Sequence, residues 1–223
     1  MEQDLGVTPL VRTRRGLTQE DLERMRIPKL YWEVSESGIL LESGKPEVLG
    51  FVERVCEVVG RGYGLLLWGT NGVGKTACAA LVAKEACRFG WTVLFIRVAD
   101  LLAWETKKEF FCVSDGETVW NRARRVDLLV LDDLGKENLD AGGKALKELE
   151  EFIRERVSMK RSTIFTTNLS IRDDMPGIYM ESMMSVLKES VLAVCCEGPD
   201  HRQQKADDVK QFLVGGTDLG RGA

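Results

Sequence analysis

Four short apolar runs punctuate the middle of the chain: Tyr63 to Trp68, Thr92 to Arg97, Asp127 to Leu131 and Ser162 to Thr166. Each is rich in branched residues, and longer segments of helical character separate them, as expected for strands buried on both faces. A fifth run, Val191 to Cys196, reads the same way. The intervening segments are Thr76 to Phe89, Ala99 to Lys108, Val119 to Arg125 and Lys144 to Met159. In the last of these Ala145, Leu146, Leu149, Phe152, Ile153 and Val157 fall on one helical face. Upstream, Val48, Phe51, Val52 and Val55 predict a helix over Pro46 to Gly60 that leads into the first strand. Alternation of strands and helices specifies an α/β fold: a five-stranded parallel sheet flanked by helices.

The ends of the chain read differently. Residues 1–27 are polar and carry the cluster Arg12, Arg14 and Arg15, followed by a Thr18-x-x-Asp21 pattern suited to capping a short helix. They are expected to form an N-terminal arm with room to be flexible. Its arginines are either a solvated charge run or a contact for a partner or nucleic acid. Residues 28–212 form the single domain, and 213–223, with Gly215-Gly216 and Gly220-Arg221-Gly222, a flexible C-terminal tail.

Composition narrows the class. With 223 residues, 44% hydrophobic and 30% charged, the chain can bury one α/β core and is neither disordered nor fibrous. A net charge of −4 supplies no global attraction to nucleic acid, so any such contact must come from local basic patches or from assembly. The apolar stretch Leu128 to Leu131 ends at two aspartates and no run approaches bilayer length, so no membrane association is expected. The N-terminus lacks the basic-then-apolar pattern of a secretory signal, which predicts a cytoplasmic protein. Six cysteines without Cys-x-x-Cys spacing, and the single His201, offer no zinc site and read as reduced thiols.

The chemistry lies in two motifs. Directly after the first strand, Gly69-Thr70-Asn71-Gly72-Val73-Gly74-Lys75-Thr76 satisfies G-x-x-x-x-G-K-[ST] at every fixed position. A polyphosphate is best held by many backbone N–H groups converging at a helix N-terminus, and glycines let the backbone curl tightly enough to do so. Lys75 then faces the β- and γ-phosphates of ATP, and the Thr76 hydroxyl ligates Mg²⁺. The second motif is Leu128-Leu129-Val130-Leu131-Asp132-Asp133, an apolar strand that delivers two carboxylates at its C-terminal end. Alone they would be a strand-ending turn. Beside the loop, Asp132 is expected to hold Mg²⁺ through its water shell, and Asp133 to orient and deprotonate the attacking water. Aspartate is one methylene shorter than glutamate there, so slow basal turnover is expected. A third feature, Thr166-Thr167-Asn168, ends the fourth strand. If that strand is inserted beside the loop strand (the ASCE order), Asn168 is placed to bond the γ-phosphate or the attacking water; otherwise it starts a turn.

Together these strings resemble the AAA+ P-loop NTPases of the DnaC/DnaI/IstB type, helicase loaders and transposition helper ATPases. The resemblance spans about Ile27 to Arg202 and rests on Ile27-Pro28, Gly69 to Thr76, Leu131-Asp132-Asp133-Leu134-Gly135, Thr166-Thr167-Asn168-Leu169-Ser170 and Gly198-Pro199-Asp200-His201-Arg202. It implies that Asn168 is the sensor-1 residue and that Arg202, at the sensor-2 position, approaches the γ-phosphate. It also implies an ATP-hydrolysing DNA-replication accessory protein of the DnaC-like helicase-loader kind, with a replicative helicase, single-stranded DNA and self-association as its interactions. The alternatives are an IstB-like transposition helper and a non-hydrolysing ATP-bound adaptor. A metabolite kinase would share the loop, but phosphoryl transfer to a metabolite does not call for the Asp132-Asp133 pair and the Asn168 sensor. One departure matters: where the family carries Ser-Arg-Leu, this chain has Ser185-Val186-Leu187, leaving Lys188 or Arg172 as substitutes for the arginine that reaches a neighbour's ATP site.

Overall fold

Each of the five apolar runs enters one sheet. The computed structural model describes residues 12–35, 46–107, 112–113, 117–135, 143–179, 181–201, 210–211 and 213. The strands are β1 (Gly64–Trp68), β2 (Val93–Arg97), β5 (Leu128–Leu134), β6 (Ser162–Thr167) and β7 (Val191–Cys195); β3 (Cys112–Val113) and β4 (Glu117–Thr118) pair only with each other. The helices are α1 (Gln19–Met25), α2 (Pro46–Glu53), α3 (Val55–Gly60), α4 (Lys75–Arg88), α5 (Val98–Lys107), α6 (Val119–Arg125), α7 (Lys144–Ser158), α8 (Met175–Ile178) and α9 (Glu181–Ser190). The sheet is parallel, in the order β2-β5-β6-β1-β7. β6 is therefore inserted between the loop strand β1 and the acidic strand β5.

Alternate residues of β1, β2, β5 and β6 enter two separate cores, whereas β7, at the edge of the sheet, is not buried on both faces as its apolar run suggested and leaves Leu192, Ala193 and Cys195 exposed. Leu65 and Leu67 join Val82, Phe95, Val130 and Ile164 on the face covered by α1 to α4. Leu66 joins Leu94, Leu129, Leu131, Phe152 and Phe165 on the face covered by α5, α6, α7 and α9. Burial on both faces explains why these strands read as continuous apolar runs. Each fully buried leucine contributes about 1.5–3 kcal/mol.

The helix expected over Pro46 to Gly60 is two helices, broken at Arg54, which sits outside helical geometry at φ −108° and ψ 23°. No proline or glycine marks that break. β5 runs three residues past the expected Leu131, so both aspartates lie within the strand.

The described part of the N-terminal segment is packed on the domain. Thr18 and Asp21 form a reciprocal capping box on α1, and Met25 and Ile27 enter the first core. The basic cluster has partners within the chain. Arg12 lies 3.6 Å over the Trp91 ring, Arg14 bonds Glu85 at 2.6 Å, and Arg15 bonds Asp21 at 2.6 and 2.8 Å. Residues 1–11 of the expected arm and 214–223 of the expected tail lie outside the described residues.

Candidate functional site

The strand-loop-helix unit predicted for the phosphate loop is present. Gly69, Gly72 and Gly74 have φ of +141°, +78° and +87°, angles that side chains with a Cβ rarely adopt. Gly74 is the N-cap of α4, so the loop runs directly into that helix's positive end. The Lys75 ammonium is buried in the loop and donates to Gly69 O at 2.8 Å and Thr70 O at 2.6 Å. Helix α4 tolerates burial along most of its length because its sequence there is small, Ala77-Cys78-Ala79-Ala80.

The acidic pair meets the loop directly. The Thr76 hydroxyl donates to Asp132 Oδ1 at 3.0 Å, linking two residues 56 positions apart. Thr166 on the inserted strand donates to the same Asp132 oxygen at 2.6 Å and accepts the Asp133 N–H at 3.0 Å. The β5–β6 register slips between Leu131 and Leu134, and Asp133 takes φ +61°. Such a bulge re-aims the side chain carried on it. It gives the two consecutive carboxylates different settings, Asp132 buried among hydroxyls and Asp133 half-exposed. Thr76 Oγ1 and Asp132 Oδ1 are neighbouring hard oxygens, a donor set that fits a small divalent cation keeping several waters. No larger cluster of three or more His, Cys, Asp or Glu side chains occurs among the described residues.

Asn168 follows directly on β6, whose Thr167 pairs with Trp68 of β1. It therefore stands at the C-terminal edge of the sheet at the level of Gly69, between the loop and the acidic strand. Arg202 lies outside the described residues, but the chain reaches it from beside the loop, since the His201 N–H donates to Gly72 O at 3.2 Å. Val186 is buried in the second core at 8% exposure, whereas Lys188 and Arg172 are exposed. Two residues of this site carried no role in the sequence reading. Thr166 needed the strand order to be seen as the tie between both aspartates. Arg97 ends β2 opposite Asp132; its guanidinium is raised above its ordinary value chiefly by a bidentate bond to Asp100, with smaller contributions from Asp133 and Asp132.

Comparison with known proteins follows the same geometry. The family description "IstB-like ATP binding protein" matches residues 51–189. The chain belongs to this family. Relatives of this IstB-like protein include one described as ATP-binding in insertion sequence IS1162 of Pseudomonas fluorescens, 35% identical over 111 residues, 48% of this chain and 44% of that one. They also include the replicative helicase loader DnaC of Escherichia coli K12, 32% identical over 126 residues, 56% of this chain and 46% of that one. The chain spans about half the length of these curated relatives. Among solved structures, the DnaC helicase loader superposes with a TM-score of 0.61 at 24% identity, covering 76% of this chain and all of that one, and DnaI with 0.60 at 22%, covering 78% and 93%. These likenesses show a shared fold, the parallel sheet flanked by helices described above. No helix among the described residues is long and apolar enough to cross a membrane.

Proposed function

We propose that this IstB-like protein binds ATP with Mg²⁺, hydrolyses it slowly, and uses the cycle to load a replicative helicase on single-stranded DNA as a self-associating, cytoplasmic accessory of replication. The observation that carries the ATPase part is the 3.0 Å bond from Thr76 to Asp132, which joins the phosphate-loop helix to the acidic strand across the sheet. In this reading the loop amides of residues 69–74 and the Lys75 ammonium hold the β- and γ-phosphates. Thr76 and Asp132 hold Mg²⁺, which supplies charge compensation on the phosphate oxygens when bound. Asp133 accepts a proton from the attacking water as its oxygen bonds to the γ-phosphorus. The bond from that phosphorus to the bridging oxygen breaks, leaving ADP and phosphate. Asn168 and Arg202 contact the γ-phosphoryl group, so its departure changes what they bond and releases the partner.

A second reading is favoured by a specific observation. Val186, where the resemblance expects an arginine for the neighbouring subunit, is a core residue. A chain without that arginine suits an adaptor that holds ATP without turnover. Phosphate release, measured with and without single-stranded DNA and replicative helicase, separates the two: an adaptor stays flat in every condition, a loader rises above its basal rate. Stimulation by a transposase on DNA, with none by helicase, would move the assignment to a transposition helper. The loop reading itself is tested by Lys75→Ala, which is expected to lose ATP binding; undiminished affinity would refute it.

A further inference from the structure

The segment after β7 forms one wall of the phosphate loop. Cys196 N–H donates to Trp68 O at 2.7 Å, and His201 N–H to Gly72 O at 3.2 Å. Between these two ties, the Asp200 carboxylate lies against Gly72. A Cβ built on Gly72 would fall 1.7 Å from Asp200 Oδ1 and 2.3 Å from its Cγ. Gly72 is required by its φ of +78°, and the Asp200 carboxylate takes up the space a Cβ would fill there. The loop gathers amide dipoles and the Lys75 cation to hold a polyanion, and Asp200 brings a negative charge to the same turn. A carboxylate at this turn repels a polyanion held by the loop, and the repulsion grows with the charge of the ligand and is screened by salt.

We propose that Asp200 sets nucleotide affinity: its carboxylate weakens the loop's hold on a nucleoside polyphosphate, more for the triphosphate than for the diphosphate, and so keeps the bound nucleotide exchangeable. This rests on the reading of residues 69–76 as the ATP site, and it assigns a role to a residue outside both motifs. It differs in kind from a phosphate contact, because the group acts by opposing the ligand.

Dissociation constants for ATP·Mg²⁺ and ADP·Mg²⁺ test it in the full chain and in four variants: Asp200→Asn, Asp200→Ser, Glu151→Gln and Lys75→Ala. Glu151 is exposed on α7, so its substitution changes the net charge by the same unit far from the loop. Asp200→Asn and Asp200→Ser are expected to tighten ATP·Mg²⁺ by about five- to twentyfold at low salt, and ADP·Mg²⁺ by less. The gain should shrink as salt rises to about 0.5 M. Glu151→Gln should leave both constants unchanged. Equal or weaker ATP·Mg²⁺ binding in both Asp200 variants, with thermal unfolding like that of the parent, overturns the proposal; so does an equal gain in Glu151→Gln. Retained affinity in Lys75→Ala is a separate failure, of the ATP-site reading, and it leaves a different signature because the loop cation and the wall carboxylate are read independently.

Discussion

Thr166 binds both halves of the acidic pair with one hydroxyl, donating to Asp132 Oδ1 and accepting from the Asp133 amide. The bulge that separates the two carboxylates is thereby held from the neighbouring strand. Replacing this residue by valine keeps the shape and β-propensity but deprives two buried groups of this partner, at a cost of about 1–3 kcal/mol. Urea unfolding of Thr166→Val should show that loss, together with reduced phosphate release, because Asp133 loses its bearing. Asp133→Asn tests the proton-accepting role more narrowly. It should leave ATP affinity within about twofold and lower turnover by about a hundredfold. Unchanged turnover removes Asp133 from the chemistry while leaving the loop assignment in place.

Elements remote from the site keep it in register. Arg156 of α7 is almost completely buried and has oxygen acceptors on two neighbouring elements: Ala123 O, Arg124 O and Val126 O at the end of α6, and Ser162 O and Thr163 Oγ1 of β6. Burial lowers its guanidinium to about 9, so it stays charged at neutral pH, its charge spread over those oxygens. Arg156→Met fills similar space but strands several buried carbonyls. A loss above about 3 kcal/mol is expected, seen as a drop in Tm of roughly 6–12 °C. On the opposite face, Asp21 joins the N-terminal segment to α1: Arg15 and the Thr18 cap hold its carboxyl well below the usual carboxylate range. A depressed folded value stabilises the fold above the unfolded value, near about pH 4, and that stabilisation disappears as pH falls toward the folded value. Asp21→Asn should therefore unfold at a lower temperature than the parent at pH 7. The two should converge as pH drops below about 4. A gap that persists in acid would show that the ion pair is not its source.

At the scale of the whole molecule, the two edges of the sheet differ. α1 packs against β2 at one edge, while at the other β7 leaves Leu192, Ala193 and Cys195 exposed. All the site groups placed by the structure, Lys75, Thr76, Asp132, Asp133 and Asn168, lie at the C-terminal end of the parallel strands, where open α/β sheets place their ligands. In the proposed function, a neighbouring subunit or a helicase would meet the phosphate end of the nucleotide at this edge. The expected behaviour is ATP-dependent association. With a slowly hydrolysed ATP analogue, sedimentation should show larger species than with ADP, and more so when single-stranded DNA and helicase are present. A single size under all conditions would leave the adaptor as the surviving reading.

Local pattern alone determined the positions of the five main strands, most helices, the glycine-rich turn between β1 and α4 and the place of the paired aspartates near the end of β5. Buried parallel strands and a glycine-rich anion loop are written in consecutive residues, so a short window suffices to see them. The single helix expected over Pro46 to Gly60 was one exception, because its apolar positions continue smoothly across Arg54 while the backbone does not, and α9 was another, a helix the sequence reading did not mark. Only the tertiary structure decided which strands are neighbours, and with that the insertion of β6, the hold of Thr166 on both carboxylates, the placement of Arg156 and the approach of Asp200 to Gly72. Most of these contacts join residues separated by tens to more than a hundred positions. Long-range proximity leaves no periodic trace in a chain, because it is set by which faces pack and in what order.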